Sequence, residues 1–336
     1  MQNKFLQTVI SSHLRSVLDA TKEKSQERYV ALSKQFIASD EEHTVSKDEL
    51  AFPQGSEVHA VTERFIHQYK NRGLLLSTDR CISYCRYCFR RDFIANPEQF
   101  IGTYTGFIKD SEIDEICAYL AKHEEIEEVL ISGGDVMTGT QKQIFNVLDK
   151  LRSVRKDLLL RFCTRANVFA PTLFTPTLIQ KLRSVRPLWI VPHINHPEEL
   201  CKATVESFNN LIDAGIPIFS QSVLLKGVND NVEILKELFN KIVKIGIKPG
   251  YLFQADIVKG TSHFRVPAPE AIRLYEDLKL ELSGLSLPVF TVDLPSGGGK
   301  LNMLQMDPTL LKQTSKEGEN YYEITKNGKT WYYPKN

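Results

Sequence analysis

The segment Gly73-Leu74-Leu75-Leu76-Ser77 leads almost directly into Cys81-Ile82-Ser83-Tyr84-Cys85-Arg86-Tyr87-Cys88. The apolar run predicts a buried strand, so the cysteines occupy the loop that follows it. Their spacing allows one loop to present three thiolates to a compact iron–sulfur cluster. Because the loop supplies only three ligands, one iron of a [4Fe–4S] cluster keeps an open position for a substrate. A zinc site with a distant ligand and three incidental cysteines are the alternatives.

Beyond the cysteines, short apolar runs alternate with amphipathic segments of helical length. The expected strands are 128–132, 158–163, 188–193, 217–225, 250–256 and 288–292, and the expected helices are 111–123, 141–151, 175–184, 198–214, 231–245 and 268–282. Repeated βα units predict a parallel sheet, either barrelled or doubly wound. With the run before the cysteines there are seven strands, one fewer than a closed eightfold barrel needs. We therefore expect an α/β fold with an open, partial parallel β/α barrel.

Three regions are expected along the chain. Residues 1–55 carry apolar positions at helical spacing and predict an N-terminal helical extension. Residues 56–310 form the partial barrel, and residues 311–336 form a C-terminal tail with a β-hairpin around Asn327-Gly328. In parallel α/β folds, reactive groups gather at the carboxyl ends of the strands. Functional residues are therefore expected just after each strand.

The bulk composition excludes several classes of partner. The 42 basic residues nearly cancel the 41 acidic ones, so no overall field favours nucleic acid or an anionic membrane. The chain has no secretory signal and no apolar stretch of about 18 residues. These features predict a cytoplasmic protein. The remaining cysteines, Cys117, Cys163 and Cys201, lie in patterned segments and are expected to be core thiols.

Two glycine segments also follow predicted strands. Ser132-Gly133-Gly134-Asp135 permits close backbone approach to a ligand, although a Gly-Gly pair after a strand is by itself more often a turn than a site. In Gly297-Gly298-Gly299-Lys300, successive glycines allow backbone amides to converge on an anion. A solvated loop lysine is the alternative for Lys300. The spacing differs from the phosphate-binding loop of nucleotide hydrolases, so ATP binding is not expected.

The cysteine spacing, with an aromatic residue before Cys88, resembles the signature of the radical S-adenosyl-L-methionine (SAM) superfamily. Over roughly residues 60–335 the chain resembles the lysine 2,3-aminomutase family. That family includes free-lysine mutases and the enzymes that form β-lysine for elongation factor P. The resemblance implies an isomerase that uses a [4Fe–4S] cluster, SAM and pyridoxal 5′-phosphate (PLP) to convert L-lysine into β-lysine. It also implies a reducing partner such as flavodoxin or ferredoxin, and a homo-oligomer is compatible with it.

The same resemblance assigns roles to individual residues. Cys81, Cys85 and Cys88 ligate the cluster, and Lys300 forms the Schiff base with PLP. The cofactor-binding set comprises Gly297, Gly298 and Gly299 beside PLP, Arg72 at its phosphate, and Ser132, Gly133, Gly134, Asp135, His193 and Gln221 around SAM. Arg90 pairs with the substrate carboxylate, for which a guanidinium offers a bidentate fork. Asp256 and Asp293 hold the ε-ammonium group of lysine.

Some features depart from the family pattern. The free-lysine mutases carry a C-terminal cysteine cluster for a structural zinc, which this sequence does not contain, so it resembles the compact elongation factor P enzymes. The segments Tyr69-Lys70-Asn71-Arg72 and 164–171 follow the family only loosely. Two alternatives remain: the same radical machinery acting on another amino acid such as glutamate, and a non-catalytic iron–sulfur protein.

Overall fold

The computed structural model describes residues 5–96, 106–306, 312–316, 319–326 and 328–335. The chain begins with α1 (Ser12–Lys24) and α2 (Gln26–Lys34). Ser11 and Ser25 cap these helices, since each side chain accepts a hydrogen bond from a backbone amide of the first turn. Helices are thus present in the N-terminal region, but residues 5–11 are not helical. The apolar spacing that begins at Phe5 had predicted a helix there, and this expectation is wrong.

A short antiparallel pair, β1 (Ala60–Thr62) and β2 (Phe65–Tyr69), precedes β3 (Arg72–Thr78). Alternating strands and helices then follow. The strands are β4 (Glu128–Gly133), β5 (Leu159–Thr164), β6 (Leu188–Pro192), β7 (Phe219–Leu224), β8 (Lys248–Gln254) and β9 (Val289–Leu294). The helices are α3 (Arg91–Ala95), α4 (Asp110–Leu120), α5 (Gln141–Val154), α6 (Ala166–Phe169), α7 (Pro176–Ser184), α8 (Lys202–Asp213), α9 (Val232–Ile245) and α10 (Ala268–Glu281).

The parallel strands form one curved wall. Strands β3 to β6 pair in parallel, as do β7 to β9. The two sheets adjoin through isolated bridges between β6 and β7, such as Ile190 with Ile218. Across the opposite gap, the Gln68 side chain of β2 donates to the Gly297 carbonyl at 3.2 Å, and no strand ladder joins these edges among the described residues. The expectation of an open, partial barrel is confirmed.

Helix α9 illustrates how the helices cover the barrel. It buries Leu235, Leu238, Phe239 and Ile242 on one face, which is the spacing of an amphipathic helix. Removing each such side chain from water contributes about 1.5–3 kcal/mol. Asn231 caps its amino end, and Gly246 ends it with φ of 96°, a left-handed conformation that glycine adopts without a side-chain clash. None of the described helices is both long enough and apolar enough to cross a bilayer.

Four further strands complete the structure. Strand β10 (Gly299–Asn302) turns back antiparallel to β9, so Lys300 lies on a strand and not in an open loop. The tail forms a three-stranded sheet of β11 (Lys312–Lys316), β12 (Glu319–Lys326) and β13 (Lys329–Pro334). The expected hairpin corresponds to β12 and β13, although Asn327 lies outside the described residues, as does the expected boundary at 310/311. The polar strand β11 was not predicted.

Candidate active site

The cysteine loop follows the carboxyl end of β3 and is fastened by the N-terminal extension. The amide of Tyr84 donates to the Val9 carbonyl at 2.9 Å, and the amide of Ser11 donates to the Ser83 hydroxyl at 2.9 Å. The amide of Arg86 donates to the carbonyl of Gln35 at 2.8 Å. The extension therefore fixes the backbone between the first and last cysteine from outside the barrel.

A buried ion-pair network anchors the same loop. Both Arg86 and Arg91 donate to the carboxylate of Glu42, at 2.5 and 2.6 Å from Oε2. All three side chains are buried. Burial opposes ionisation of Glu42, but hydrogen bonds and charge from the two arginines outweigh it and lower its pKa. A buried ion pair thus joins the N-terminal extension to the cysteine loop.

The three thiols of the loop are free and half-buried. Burial, reinforced by neighbouring negative charge, raises the pKa of Cys81 and raises that of Cys88 to about 11. Three thiols presented by one loop suit a cluster that takes several cysteine ligands.

Arg165, at the end of β5, reaches the cysteine loop. Its Nη1 lies 2.8 Å from the sulfur of Cys85 and also donates to the Tyr87 hydroxyl. Its Nη2 donates to Glu199 at 2.8 Å and to the Gln35 side chain at 2.9 Å. This guanidinium was not identified from the sequence. The signal that was available is its position directly after a strand, where functional groups are expected.

The segment 132–135 packs against the base of the cysteine loop. A Cβ at Gly133 would meet the Thr78 carbonyl oxygen at 2.5 Å, and one at Gly134 would meet that of Arg80 at 2.2 Å. The two glycines therefore let the end of β4 approach the backbone after β3. The Asp135 carboxylate accepts from the Thr164 hydroxyl at 2.7 Å and from the Arg165 amide at 2.8 Å. Its oxygens thereby tie the ends of β4 and β5 together.

The largest group of predicted residues meets inside the barrel. A cavity of about 160 Å³ is lined by six of them: Arg72, Arg90, Gln221, Asp293, Gly299 and Lys300. Gln54, Gln68, Tyr69 and Arg161 line the same cavity and were not singled out from the sequence. Arg161 forms an ion pair with Glu128 on the neighbouring strand. Such inward-facing residues of a strand carry no local sequence signal.

Lys300 and Asp293 face each other across β9 and β10. The two residues are direct partners in the antiparallel ladder, and Lys300 Nζ lies 2.7 and 3.0 Å from the carboxylate oxygens of Asp293. The Lys300 ammonium also lies 4.7 Å from the ring centroid of Phe253. The turn before β10 holds Gly297 and Gly299 at φ of 80° and 75°, which other residues rarely adopt. The glycines thus form the turn that aims Lys300 into the cavity.

Asp256 follows β8 and lies close to this ion pair. Gln54 donates to its carboxylate at 3.5 Å. Burial, and then the negative charge of Asp293, raise the pKa of Asp256 to about 7, while Lys300 and Arg90 oppose the shift. The negative charges of Asp256 and Asp293 therefore repel each other. A second cation would favour the ionised form of Asp256.

Arg90 and Arg72 lie at different depths of the barrel. Arg90 follows the last cysteine, stacks on Phe89 at 4.4 Å, and donates to the Ser132 hydroxyl at 3.2 Å. Arg72 is the first residue of β3, so it lies at the end of the barrel opposite the cysteines. Its guanidinium packs on the Tyr69 ring at 4.1 Å.

His193 follows β6 and is separated from the lysine end of the cavity. Its Nε2 contacts the Asn195 amide oxygen at 3.0 Å and the Tyr87 hydroxyl at 3.4 Å. Burial, and then the charge of Arg165, lower the pKa of His193 to about 3, so the ring is neutral at physiological pH. Gln221 is its bridge partner on β7 and faces the cavity. The two residues connect the cysteine loop with the barrel interior.

Comparison with known proteins identifies the family of this chain. Residues 75–239 match the model of the radical SAM superfamily. A putative L-lysine 2,3-aminomutase from Treponema pallidum is 47% identical, with 83% of this chain and 78% of the relative covered. The L-lysine 2,3-aminomutase of Clostridium subterminale is 36% identical, with coverage of 80% and 62%. A glutamate 2,3-aminomutase from Clostridioides difficile is 32% identical, with coverage of 75% and 58%.

A solved structure supports the fold independently. A radical SAM methyltransferase from Sphaerobacter thermophilus superposes with a TM-score of 0.50 at 12% identity, and the alignment covers 68% of each chain. The fold and the superfamily match together define a radical SAM protein. Within that class, the chain belongs to the lysine 2,3-aminomutase family. The expected family and fold class are confirmed.

The family implies three cofactors, and the residues present fit them. Radical SAM proteins use a [4Fe–4S] cluster and SAM, and lysine 2,3-aminomutases also depend on PLP. Three thiols from one loop, with a guanidinium donating to one sulfur, suit an anionic cluster. A cavity lined by Lys300, Arg72 and Arg161 offers an amine and two cations to a phosphorylated aldehyde. The donor sets therefore match the chemistry of these groups.

Proposed function

We propose that this protein converts L-lysine into β-lysine by moving the amino group from carbon 2 to carbon 3. The observation that supports the proposal is the charge pattern of the barrel cavity. Arg90 offers a cation toward the cysteine loop, whereas Asp293 and the adjacent Asp256 offer anions near Lys300. An amino acid with a cationic side chain has its carboxylate and its ammonium group at opposite ends. Such a molecule complements both sets of charges.

The chain's residues have distinct proposed tasks toward the cofactors. Cys81, Cys85 and Cys88 would hold the cluster, while Ser132, His193 and Gln221 would line the SAM site beside it. Lys300 would bind the aldehyde carbon of PLP, and Arg72 would pair with its phosphate. When bound, the cluster and SAM supply a carbon radical, and PLP supplies a conjugated ring that delocalises an unpaired electron. The protein itself binds, orients and shields the reacting groups.

Orientation follows from the fixed ends of the site. Arg90 is held by Phe89 and Ser132, so its guanidinium can pair with the substrate carboxylate without large rearrangement. The two aspartates set the position of the side-chain ammonium. Gripping both ends fixes which hydrogen of carbon 3 faces the radical source, and this geometric control accounts for much of the rate enhancement.

Lysine is favoured over glutamate by electrostatics. A glutamate side chain would bring a third carboxylate beside Asp256 and Asp293, which already repel each other. A lysine side chain instead supplies the cation that both carboxylates lack once Lys300 binds PLP. A glutamate 2,3-aminomutase is among the relatives, so glutamate is the alternative substrate that the assay has to distinguish.

The cellular setting is also proposed from chemistry. The six cysteines are free, as a reducing compartment such as the cytoplasm requires. The cluster needs an electron for each radical that it generates, so a low-potential donor such as flavodoxin or ferredoxin would serve as reducing partner. A homo-oligomer is compatible with the exposed surface of the chain.

The test uses enzyme that is reconstituted anaerobically with iron, sulfide, PLP, SAM and dithionite. Lysine and glutamate are supplied in parallel, and β-amino products are separated by chromatography. We expect β-lysine with lysine and no product with glutamate. Conversion of glutamate but not lysine would reverse the proposed specificity. Absence of both 5′-deoxyadenosine and any β-amino product with either amino acid, from enzyme with four irons per chain, would contradict the catalytic proposal.

A matched variant tests the assignment of Lys300. Lys300→Ala should lose the visible absorbance of protein-bound PLP and retain the absorbance of the cluster. Lys279→Ala is the control, because that exposed lysine pairs only with Glu276 on the surface of α10. Equal PLP absorbance in Lys300→Ala and wild type would rule out Lys300 as the attachment point.

A further inference from the structure

We propose that Arg165 sets the reduction potential of the iron–sulfur cluster through its hydrogen bond to Cys85. The inference depends on the cluster that the family implies and not on lysine being the substrate. Arg165 Nη1 lies 2.8 Å from the Cys85 sulfur, which is within hydrogen-bond distance for a charged donor. The Tyr87 hydroxyl, to which Arg165 also donates, forms a second side-chain hydrogen bond with Cys85. Arg165 is therefore a positioning residue that acts through a cluster ligand.

The guanidinium is held rigidly at this place. Arg165 is 5% exposed, and its two terminal nitrogens are bonded to Tyr87, Glu199 and Gln35. Three aromatic rings surround it: the ring centroids of Phe36, Tyr87 and Phe169 lie 5.1, 5.7 and 4.9 Å from its central carbon. Because so many contacts fix the side chain, its charge cannot move away when the cluster changes oxidation state.

The physical effect follows from charge. Reduction adds one electron to a cluster that is already anionic, and a fixed cation stabilises the added negative charge. A hydrogen bond to a ligating sulfur also withdraws electron density and raises the potential. Low local dielectric makes both effects larger than they would be in water. The bond from Arg165 should therefore make the cluster easier to reduce.

Nearby carboxylates determine how large the effect is. Glu199 is fully buried and pairs with Arg165 at 2.8 Å. The carboxylate of Asp135 accepts from the Arg165 backbone amide at 2.8 Å. Glu199 thus balances part of the guanidinium charge, and its removal should have the opposite effect to removal of Arg165. Shifts of the reduction potential in opposite directions would distinguish an electrostatic effect from a merely structural role.

The N-terminal extension also helps to hold Arg165. Gln35, which follows α2, accepts from Arg165 Nη2 through its side-chain oxygen and donates to Glu199 at 2.9 Å. Its backbone carbonyl accepts from the amide of Arg86 inside the cysteine motif. The extension therefore links the orientation of Arg165 directly to the backbone of the cluster loop.

The experiment is an EPR-monitored reductive titration of the reconstituted full-length enzyme, with and without SAM. Arg165→Met should shift the midpoint potential to a more negative value, with the ratio of reduced to oxidised cluster changed at least tenfold at fixed applied potential. For a one-electron couple that ratio corresponds to about 59 mV. Arg165→Lys keeps a charge but loses the fork geometry, so it should shift the potential in the same direction by a smaller amount.

Two further variants complete the test. Glu199→Gln should move the potential to a less negative value. Arg152→Met removes another partly buried arginine, one that donates only to backbone carbonyls far from the cysteines, and should leave the potential unchanged. Iron content and circular dichroism verify that each protein is folded and loaded.

An unchanged potential in loaded Arg165→Met would overturn the proposal, as would shifts of the same sign in Arg165→Met and Glu199→Gln. Should Arg165→Met fail to retain four irons, Arg165→Lys decides, because a potential equal to that of wild type would then reject the role.

Discussion

Lys300 forms an ion pair with Asp293 in which Nζ lies 2.7 Å from Oδ2 across two adjacent antiparallel strands. The residue proposed to bind PLP therefore neutralises a residue proposed to bind substrate. Once the lysine amine is used to bind the cofactor, Asp293 lacks its partner and can accept another cation. This coupling gives a reason for lysine to bind after PLP, and it makes the charge of Asp293 the feature to test first.

Asp293→Asn should raise the KM for lysine about 10- to 100-fold. The substitution removes one charged partner of the substrate ammonium, a contact that contributes about 1.5–3 kcal/mol, and tenfold corresponds to about 1.4 kcal/mol. Steady-state kinetics with saturating PLP measure the change. Asp157→Asn is the matched control, because that side chain pairs with Arg155 on the surface. A KM within twofold of wild type would show that Asp293 does not contact the substrate.

The raised pKa of Asp256 predicts a pH dependence of substrate affinity. Burial and the charge of Asp293 bring this pKa to about 7, so Asp256 becomes neutral as the pH falls below that value. The KM for lysine should therefore rise as the pH decreases from 8 to 6, by up to about tenfold per unit below the pKa. Asp256→Asn should have a high KM that does not vary over this interval. A wild-type KM that is flat with pH would contradict the assignment.

The same shift has a consequence for stability. Because the pKa of Asp256 is higher in the folded than in the unfolded chain, the folded state binds more protons between about 4 and 7. The contribution of this residue to the free energy of unfolding should therefore decrease as the pH rises through that window. Chemical denaturation of wild type and Asp256→Asn at several pH values compares the two slopes. The free energy of unfolding should decrease less steeply with rising pH in Asp256→Asn than in wild type.

Glu42→Gln should destabilise the protein by about 3–5 kcal/mol, because it leaves Arg86 and Arg91 buried without their shared carboxylate. Urea denaturation measures the loss. Since the pKa of Glu42 is lowered in the folded state, its stabilising contribution should be complete above pH 4.5 and fade as the pH falls further. Glu281→Gln breaks an exposed pair with Lys236 and should cost less than 1 kcal/mol. Equal losses of unfolding free energy in Glu42→Gln and Glu281→Gln would show that the buried ion pairs of Glu42 do not anchor the cysteine loop.

Gly134→Ala should impair cluster assembly. The added Cβ would lie 2.2 Å from the Arg80 carbonyl oxygen, so the backbone just before Cys81 would have to move. Iron content after reconstitution and the unfolding temperature both report the effect. Gly284→Ala is the control, since its Cβ would meet no atom within 4 Å. Normal iron content in Gly134→Ala would mean that the loop tolerates the displacement.

The sequence predicted the repeating part of the fold well. All seven parallel strands lie where largely apolar runs occur, because strands of a parallel sheet are covered by other elements on both faces. Strand β11, with sequence Lys312-Gln313-Thr314-Ser315-Lys316, was missed because it carries no apolar alternation. Strand β10 was missed because Gly297 to Gly299 indicate a loop, whereas the positive φ angles of Gly297 and Gly299 form a turn between strands.

The site was predicted only in part, for a different reason. Short sequence motifs contain Lys300, Asp293 and the three cysteines, so these residues could be identified from neighbouring positions alone. Arg165 and Gln35 are 130 residues apart in sequence and act only because folding brings both to Cys85 and its neighbours. Arg161 lies in the middle of a strand, and only the folded sheet shows that its side chain lines the cavity. Contacts of this kind depend on tertiary structure and have no local signature.

The most direct test follows the migrating nitrogen. Reconstituted enzyme is incubated with L-lysine that carries ¹⁵N only at the α-amino group, and the product is examined by NMR. We predict β-lysine with ¹⁵N on carbon 3, no label at the ε-nitrogen, and no label released as ammonia. Release of the label as ammonia, or return of lysine unchanged while SAM is cleaved, would contradict an intramolecular aminomutase.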